Sequence, residues 1–218
     1  MNSRESKLCL ILLIIILIFS ILMIIKIKRE PKYNEILYGE IYNQYNEVIK
    51  SEINENYIAE FNKTTNKKKE TYVIEDENKN KYKIIGEINI PKIGVSYPII
   101  YKTTDEYLKI APTKLFGPDM HEVGNLCILG HNYKNENFFS RLNELEKNDN
   151  IILTDNNRKK IIYKIFDKFE VREDDLSCTN QNTNGNIEVT LITCTKKKSN
   201  RLVVKCRADI KEKKVQEI

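Results

Sequence analysis

A chain of 218 residues has room for one domain of the usual ~100–200 residues beside a membrane segment. Its net charge of +5 comes from 36 basic and 31 acidic residues interleaved along the chain, so no continuous basic stripe points to nucleic acid. Five cysteines without a Cys-x-x-Cys pair exclude the disulfide framework of a small secreted domain.

The first element in chain order is apolar. Residues 8–25 are hydrophobic apart from Ser20, with Arg4 and Lys7 before them and Lys26, Lys28 and Arg29 after. At ~1.5 Å per residue these 18 residues reach ~27 Å, close to the hydrocarbon thickness of a bilayer. No small-residue cleavage site follows, so residues 1–29 are expected to form an uncleaved signal anchor, a transmembrane helix. The flanking charge is slightly richer downstream, which taken alone would leave the rest of the chain in the cytoplasm.

Residues 30–83 read as a charged stalk. Ile36, Leu37, Tyr38, Ile41, Tyr42, Tyr45, Val48 and Ile49 recur at three- and four-residue intervals, the spacing of an amphipathic helix. Residues 62–80 turn polar, with Lys67-Lys68-Lys69 and Glu75-Asp76-Glu77, and are expected to be a flexible linker. At Ile84 the pattern changes. Ile84-Ile85-Gly86-Glu87-Ile88-Asn89-Ile90 alternates with period two, and Pro91 and Gly94 punctuate it. Further strands are expected over 95–100, 126–129, 151–154, 160–171, 188–194 and 201–208, with short helices over 104–110 and 137–145. Seven or so short strands between turn signals predict a mostly β sandwich or barrel over residues 84–210, with a charged tail at 211–218.

Three of these strands have reactive residues at an end. Thr190-Leu191-Ile192-Thr193-Cys194 stops at a cysteine before a polar loop. Leu126-Cys127-Ile128-Leu129-Gly130-His131-Asn132 runs out into a Gly-His turn, and Arg201 opens Arg201-Leu202-Val203-Val204. A thiol nucleophile needs a base or cation to become thiolate, and an acyl-transfer intermediate needs donors around its oxyanion. Cys194, His131 and Arg201 meet these needs if the strand ends converge. Taken singly, Cys194 reads as a small core residue and His131 as a structural histidine. The other histidine, His121, lies in the polar loop Asp119-Met120-His121-Glu122 and is expected at the solvated surface. Cys127 and Cys206 sit inside apolar strands and are expected in the core. Cys178, in a polar loop, is expected to be the most exposed thiol.

The Gly130-His131 turn, the strand ending in Thr193-Cys194 and the downstream Arg201 together resemble the sortase signature. Ile88-Asn89-Ile90-Pro91-Lys92-Ile93 is similar to that family's opening strand and Tyr97-Pro98-Ile99 to its second, and the match runs over about residues 84–209 in the family's order. The resemblance implies a closed eight-stranded β-barrel with short helices, tethered by an N-terminal transmembrane helix and stalk, on the outside of a Gram-positive cell. It also implies a cysteine transpeptidase. Cys194 would be the nucleophile, His131 the acid/base and Arg201 the oxyanion stabiliser. The substrates implied are surface proteins with an LPxTG-like C-terminal sorting signal, and the acceptor is an amine of a peptidoglycan precursor or a pilin lysine.

Residues 172–186 stand where the family's substrate-reading loop stands. Asn180 within them, with Asn132 and Thr193 beside the reactive residues, are the candidates for touching substrate. Some sortases bind calcium near this loop. Here Glu173, Asp174 and Asp175 read as a solvated turn, and neither a metal nor another cofactor is assigned. Gly130-His131-Asn132 and Arg201-Leu202-Val203-Val204 resemble class B, while the short segment before the nucleophile resembles classes A and D. Readings of other kinds stay open. A zinc-stabilised binding module would use Cys127, His131, Cys194 and Cys206, although structural zinc ligands usually come in closely spaced pairs. A non-catalytic, membrane-tethered sortase-like adaptor and a cysteine protease that only hydrolyses are the others.

Overall fold

The computed structural model of the chain describes residues 3–60, 72–76, 78–133, 137–196 and 199–209. Two compact units divide it, Met1–Gly39 and Glu40–Ile218. The helix α1 (Ser3–Glu60) contributes to both. In the first unit the side chains of residues 11–26 are all exposed, and Ser20 donates its hydroxyl to the Ile16 carbonyl one turn back, at 2.8 Å. Among the described residues no helix is long and apolar enough to cross a membrane. In the second unit Ile41 and Tyr45, four apart and so on one helix face, are fully buried. Tyr45 meets Tyr72 edge-on, with ring centroids 6.0 Å apart. The run Lys67-Lys68-Lys69 and the tail 211–218 lie outside the described residues.

Nine strands follow α1: β1 (Tyr72–Glu75), β2 (Lys81–Ile90), β3 (Val95–Ile100), β4 (Thr113–Phe116), β5 (Gly124–Leu129), β6 (Asn150–Asp155), β7 (Lys160–Arg172), β8 (Ile187–Cys194) and β9 (Asn200–Ala208). Their order is β1-β2-β3-β4-β5-β8-β9-β7-β6. A further pairing of β6 with β2 closes strands β2 to β9 into an eight-stranded barrel, so those strands leave no open sheet edge. Ile88, Leu126, Ile128, Leu153, Tyr163, Leu191 and Val204, all at most 2% exposed, fill its interior. The expected helix at 104–110 is α2 (Asp105–Leu108), capped by Thr104, whose hydroxyl oxygen accepts from the Tyr107 amide at 3.1 Å. The expected helix at 137–145 contracts to a single 3-10 turn, Leu142–Glu144.

Three features depart from the pattern in the sequence. The strand β1 lies in the stretch read as linker. The charged run there hides a turn, because Asp76 is only 5% exposed and accepts from the amides of Asn78 and Asn80 and from the Tyr82 hydroxyl. Burial by itself would raise its carboxyl pKa, but the bonds from Asn80, Tyr82 and Asn78 outweigh it and hold the pKa below the usual value. Strand β4 was not expected either, since Leu115 and Phe116 are both exposed and mask any alternation. Finally, His121 is not at the solvated surface but 8% exposed. Its neighbour Met120 is drawn into the core, and His121 takes a left-handed φ of 68° that turns its ring inward. Nδ1 lies 3.0 Å from the Tyr163 hydroxyl and Nε2 3.0 Å from the Lys159 carbonyl.

Candidate active site

Side chains alternate between the two faces of a strand, and this sorts β5, β8 and β9 into an interior set and an outward set. Outward, Leu129 of β5, Ile192 of β8, Val203 of β9 and Phe169 of β7 are successive backbone partners across the sheet. They form an apolar cluster with Cys127 and Val171. One step of the period further, the row reads His131, Cys194 and Arg201. Cys194 and Arg201 are direct partners in the antiparallel β8–β9 pair. The β5–β8 pair is parallel, and its last partners, Leu129 and Ile192, put His131 level with Cys194. The strand register therefore sets the three residues singled out from sequence on one row of neighbouring strand ends.

Side chains continue the join where β5 leaves the ladder. The Gly130 amide donates to the Ile192 carbonyl at 3.1 Å. Beyond it, Thr193 Oγ1 donates to the Gly130 carbonyl and Asn132 Nδ2 to the Cys194 carbonyl, each at 2.7 Å. Thr193 is 1% exposed. Asn132 and Thr193 thus hold the two strand ends in register. Gly130 must lack a side chain, because a Cβ there would lie 2.6 Å from Cδ2 of the fully buried Phe139. Asn180, the third candidate for substrate contact, is exposed, and its side-chain oxygen accepts from the Asn182 amide at 2.9 Å.

The chemistry of each group follows from its surroundings. Cys194 is half-buried, whereas Cys127, Cys178 and Cys206 are buried. Burial pushes the Cys127 thiol up to about 12, with Cys178 adding to the effect, and raises Cys206 too. That leaves Cys194 as the accessible thiol among those described. The expectation that Cys178 would be the most exposed is overturned, since it is 5% exposed and packs on the Ile192–Val203 cluster. The 3-10 turn Ser177–Thr179 carries it inward. The His131 ring sits 4.8 Å from that of Tyr133. Burial pushes its pKa below the ordinary 6.5; Asp105 in α2 opposes this and Lys109 reinforces it, so the imidazole is neutral near pH 7. Arg201, with 26% of its side chain exposed, donates from Nη2 to Glu173 at 3.1 Å and from Nη1 to the Asn200 carbonyl at 3.3 Å.

The acids of the segment after β7 have local partners. Glu173 holds Arg201, Asp174 pairs with Arg172 at 2.9 Å, and Asp175 accepts from the Ser177 amide at 2.8 Å. Among the described residues no group of three or more His, Cys, Asp or Glu could hold a metal ion. The zinc reading also fails on topology, because Cys206 lies in the barrel interior and Cys127 in the outward cluster. Sequence reading placed Glu173 in a solvated turn and missed that it holds Arg201. No local signal was available, because the pair joins residues 28 positions apart.

Residues 88–209, over half the chain, match the family model of the sortase domain. The chain belongs to the sortase family. Solved sortases resemble this sortase over more than half of its length. A sortase D5 transpeptidase of Clostridium perfringens is 29% identical, over 57% of this chain and 78% of that one, with a TM-score of 0.53. Sortase A from Corynebacterium diphtheriae is 26% identical over 58% of this chain and 61% of that one, also at 0.53. Sortase C of Clostridium perfringens, solved with the C-terminal cell wall sorting motif, is 26% identical over 57% and 70%, at 0.52. Likeness is nearly equal across classes A, C and D, so the class stays unassigned. No curated protein matches this sortase.

Proposed function

We propose that this sortase is a membrane-anchored cysteine transpeptidase that joins surface proteins to an amine of the cell envelope. The observation that carries the reading is the row of His131, Cys194 and Arg201 on three neighbouring strand ends. The substrate is a protein with an LPxTG-like C-terminal sorting signal, a class supported by the similar sortase C solved with such a motif. Cys194 Sγ attacks the carbonyl carbon of the motif's fourth residue. Arg201 donates to the oxyanion, worth ~10²–10³ in turnover for such a donor. As the C–N bond breaks, protonated His131 gives its proton to the leaving amine, and a thioester remains on Cys194. The amine of a peptidoglycan precursor or pilin lysine then attacks the thioester, returns a proton to His131 and releases Cys194. Burial disfavours the imidazolium before substrate binds, so His131 must gain its proton as Cys194 loses one.

The anchor is read from the apolar run 8–25, from the exposure of residues 11–26 all around α1, and from the internally bonded Ser20 hydroxyl. The side of the membrane is taken from the sortase family, whose resemblance favours a barrel outside the cell, against the slightly richer basic flank downstream.

The test uses the full chain in detergent with a panel of quenched sorting-motif peptides, with and without an amine acceptor, read by mass spectrometry. Cleavage that disappears in Cys194→Ala and yields product joined to the added amine supports transpeptidation. Cleavage without joining to any amine would make the enzyme a protease. A folded protein that cleaves nothing would instead be an adaptor.

A further inference from the structure

The segment between β7 and β8 is fastened to the barrel through one fully buried polar residue, Asn125 in β5. Its Nδ2 donates to the carbonyls of Cys178 at 3.0 Å and Asn180 at 3.2 Å, while Oδ1 accepts from Thr190 Oγ1 at 2.7 Å. Gln181 holds the backbone of the same residue. Its Oε1 accepts from the Asn125 amide at 3.1 Å and its Nε2 donates to the Asn125 carbonyl at 2.9 Å, so the side-chain amide stands in for a strand partner. Nε2 also donates to the Thr179 carbonyl at 2.9 Å. The surroundings leave little slack. A Cβ on Gly117, at φ +100°, would lie 2.1 Å from the Asn125 carbonyl oxygen, and one on Gly124 would lie 3.2 Å from Gln181 Oε1. A buried amide is costly unless its bonds are made, and made in full they fix one arrangement.

We propose that Asn125 and Gln181 form a clamp that fixes residues 173–186 as one wall of the peptide site, which makes both of them positioning residues for substrate recognition. The proposal rests on the transpeptidase reading above. Two contacts place the clamped segment at that site. Glu173, at its start, holds Arg201. Cys178 covers the apolar row that ends two residues short of Cys194. A wall ordered in advance lowers the entropic cost of seating an extended peptide. Loosening it acts on KM more than on kcat, because Cys194 and His131 are held by their own bonds through Asn132 and Thr193, and Glu173, the partner of Arg201, is fixed next to β7 by the bond from its amide to the Ser199 carbonyl.

Gln181→Glu and Asn125→Ala in the full-length protein test the clamp. Gln181→Glu keeps the shape and the Oε1 acceptor but sets a carboxylate oxygen against the Asn125 and Thr179 carbonyls. Iodoacetamide labelling mapped by mass spectrometry reads the opening of the segment at Cys178, and Cys206, in the barrel interior, reports global unfolding. The expected result is Cys178 labelling and peptide KM both raised about tenfold, the scale of one lost hydrogen bond, with kcat within about threefold and Cys206 unlabelled. Cys178 that stays protected in both variants would overturn the clamp. Labelling that rises while KM stays put would overturn its role in recognition. If Asn125→Ala exposes Cys206, Gln181→Glu alone decides. Labelling needs no substrate, so it judges the clamp even where wild type cleaves no peptide, an outcome that counts against the transpeptidase reading.

Discussion

Replacing Thr193 by Val removes one hydroxyl and keeps the shape, so it isolates the bond that continues the β5–β8 join. The Oγ1 bond to the Gly130 carbonyl is 2.7 Å long at a residue 1% exposed. Its net worth is ~0.5–1.5 kcal/mol, and leaving a buried acceptor without its donor costs ~1–3 kcal/mol. No cavity term is added, so the expected loss of stability is ~1–3 kcal/mol, with the melting temperature falling ~2–4 °C for each. The same bond ties the residue before Cys194 to the residue before His131. A displacement of ~1 Å between reacting groups can cost ~10²-fold, so kcat should drop by ten- to a hundredfold. Urea unfolding followed by circular dichroism gives the first quantity, since the chain has no Trp. Initial rates on a cleaved peptide give the second. Unchanged stability would show the bond to be worthless. Lost stability with intact kcat would show that the register of the two strand ends does not govern the chemistry.

Other perturbations bear on the same site. Gly130→Ala puts a Cβ 2.6 Å from the buried Phe139 ring and should cost ~1–3 kcal/mol by overpacking; Phe139→Leu in the same chain should recover part of the melting temperature, and no recovery would refute the clash. Because the folded His131 pKa lies below its unfolded 6.5, the unfolded chain binds the proton more readily. The stability that neutral His131 protects is therefore complete above about 6.5 and is lost as pH falls through the lower folded value. His131→Asn should flatten the fall in urea midpoint between pH ~7.5 and ~5, and an unchanged slope would assign it to other groups. Arg201→Ala should lower turnover by ~10²–10³, and Arg201→Lys should recover only part of that because an ammonium lacks the forked donors. Near-normal turnover in Arg201→Ala would end its role at the oxyanion.

The barrel strands were legible because period two survives wherever one face of a strand is buried and the other wet. The expected strand 95–100 matches β3 residue for residue, and those at 188–194 and 201–208 fall one residue short of β8 and β9. Strands β1 and β4 were not legible, since one is four residues long beside a turn written in charged letters and the other exposes two large apolar side chains. His121 and Cys178 were misplaced for a shared reason. Polarity of the neighbours says where a loop runs, not which way one side chain turns, and that was settled by Met120 in one loop and by the Asn125 bonds in the other. The sequence by itself determined which residues could do thiol chemistry, because Cys194, His131 and Arg201 each stand at the end of an alternating strand. Only the tertiary structure decided that they share one row, since β5 and β8 become neighbours through partners such as Leu129 and Ile192, about 60 positions apart, and strand order and register cannot be read from local period.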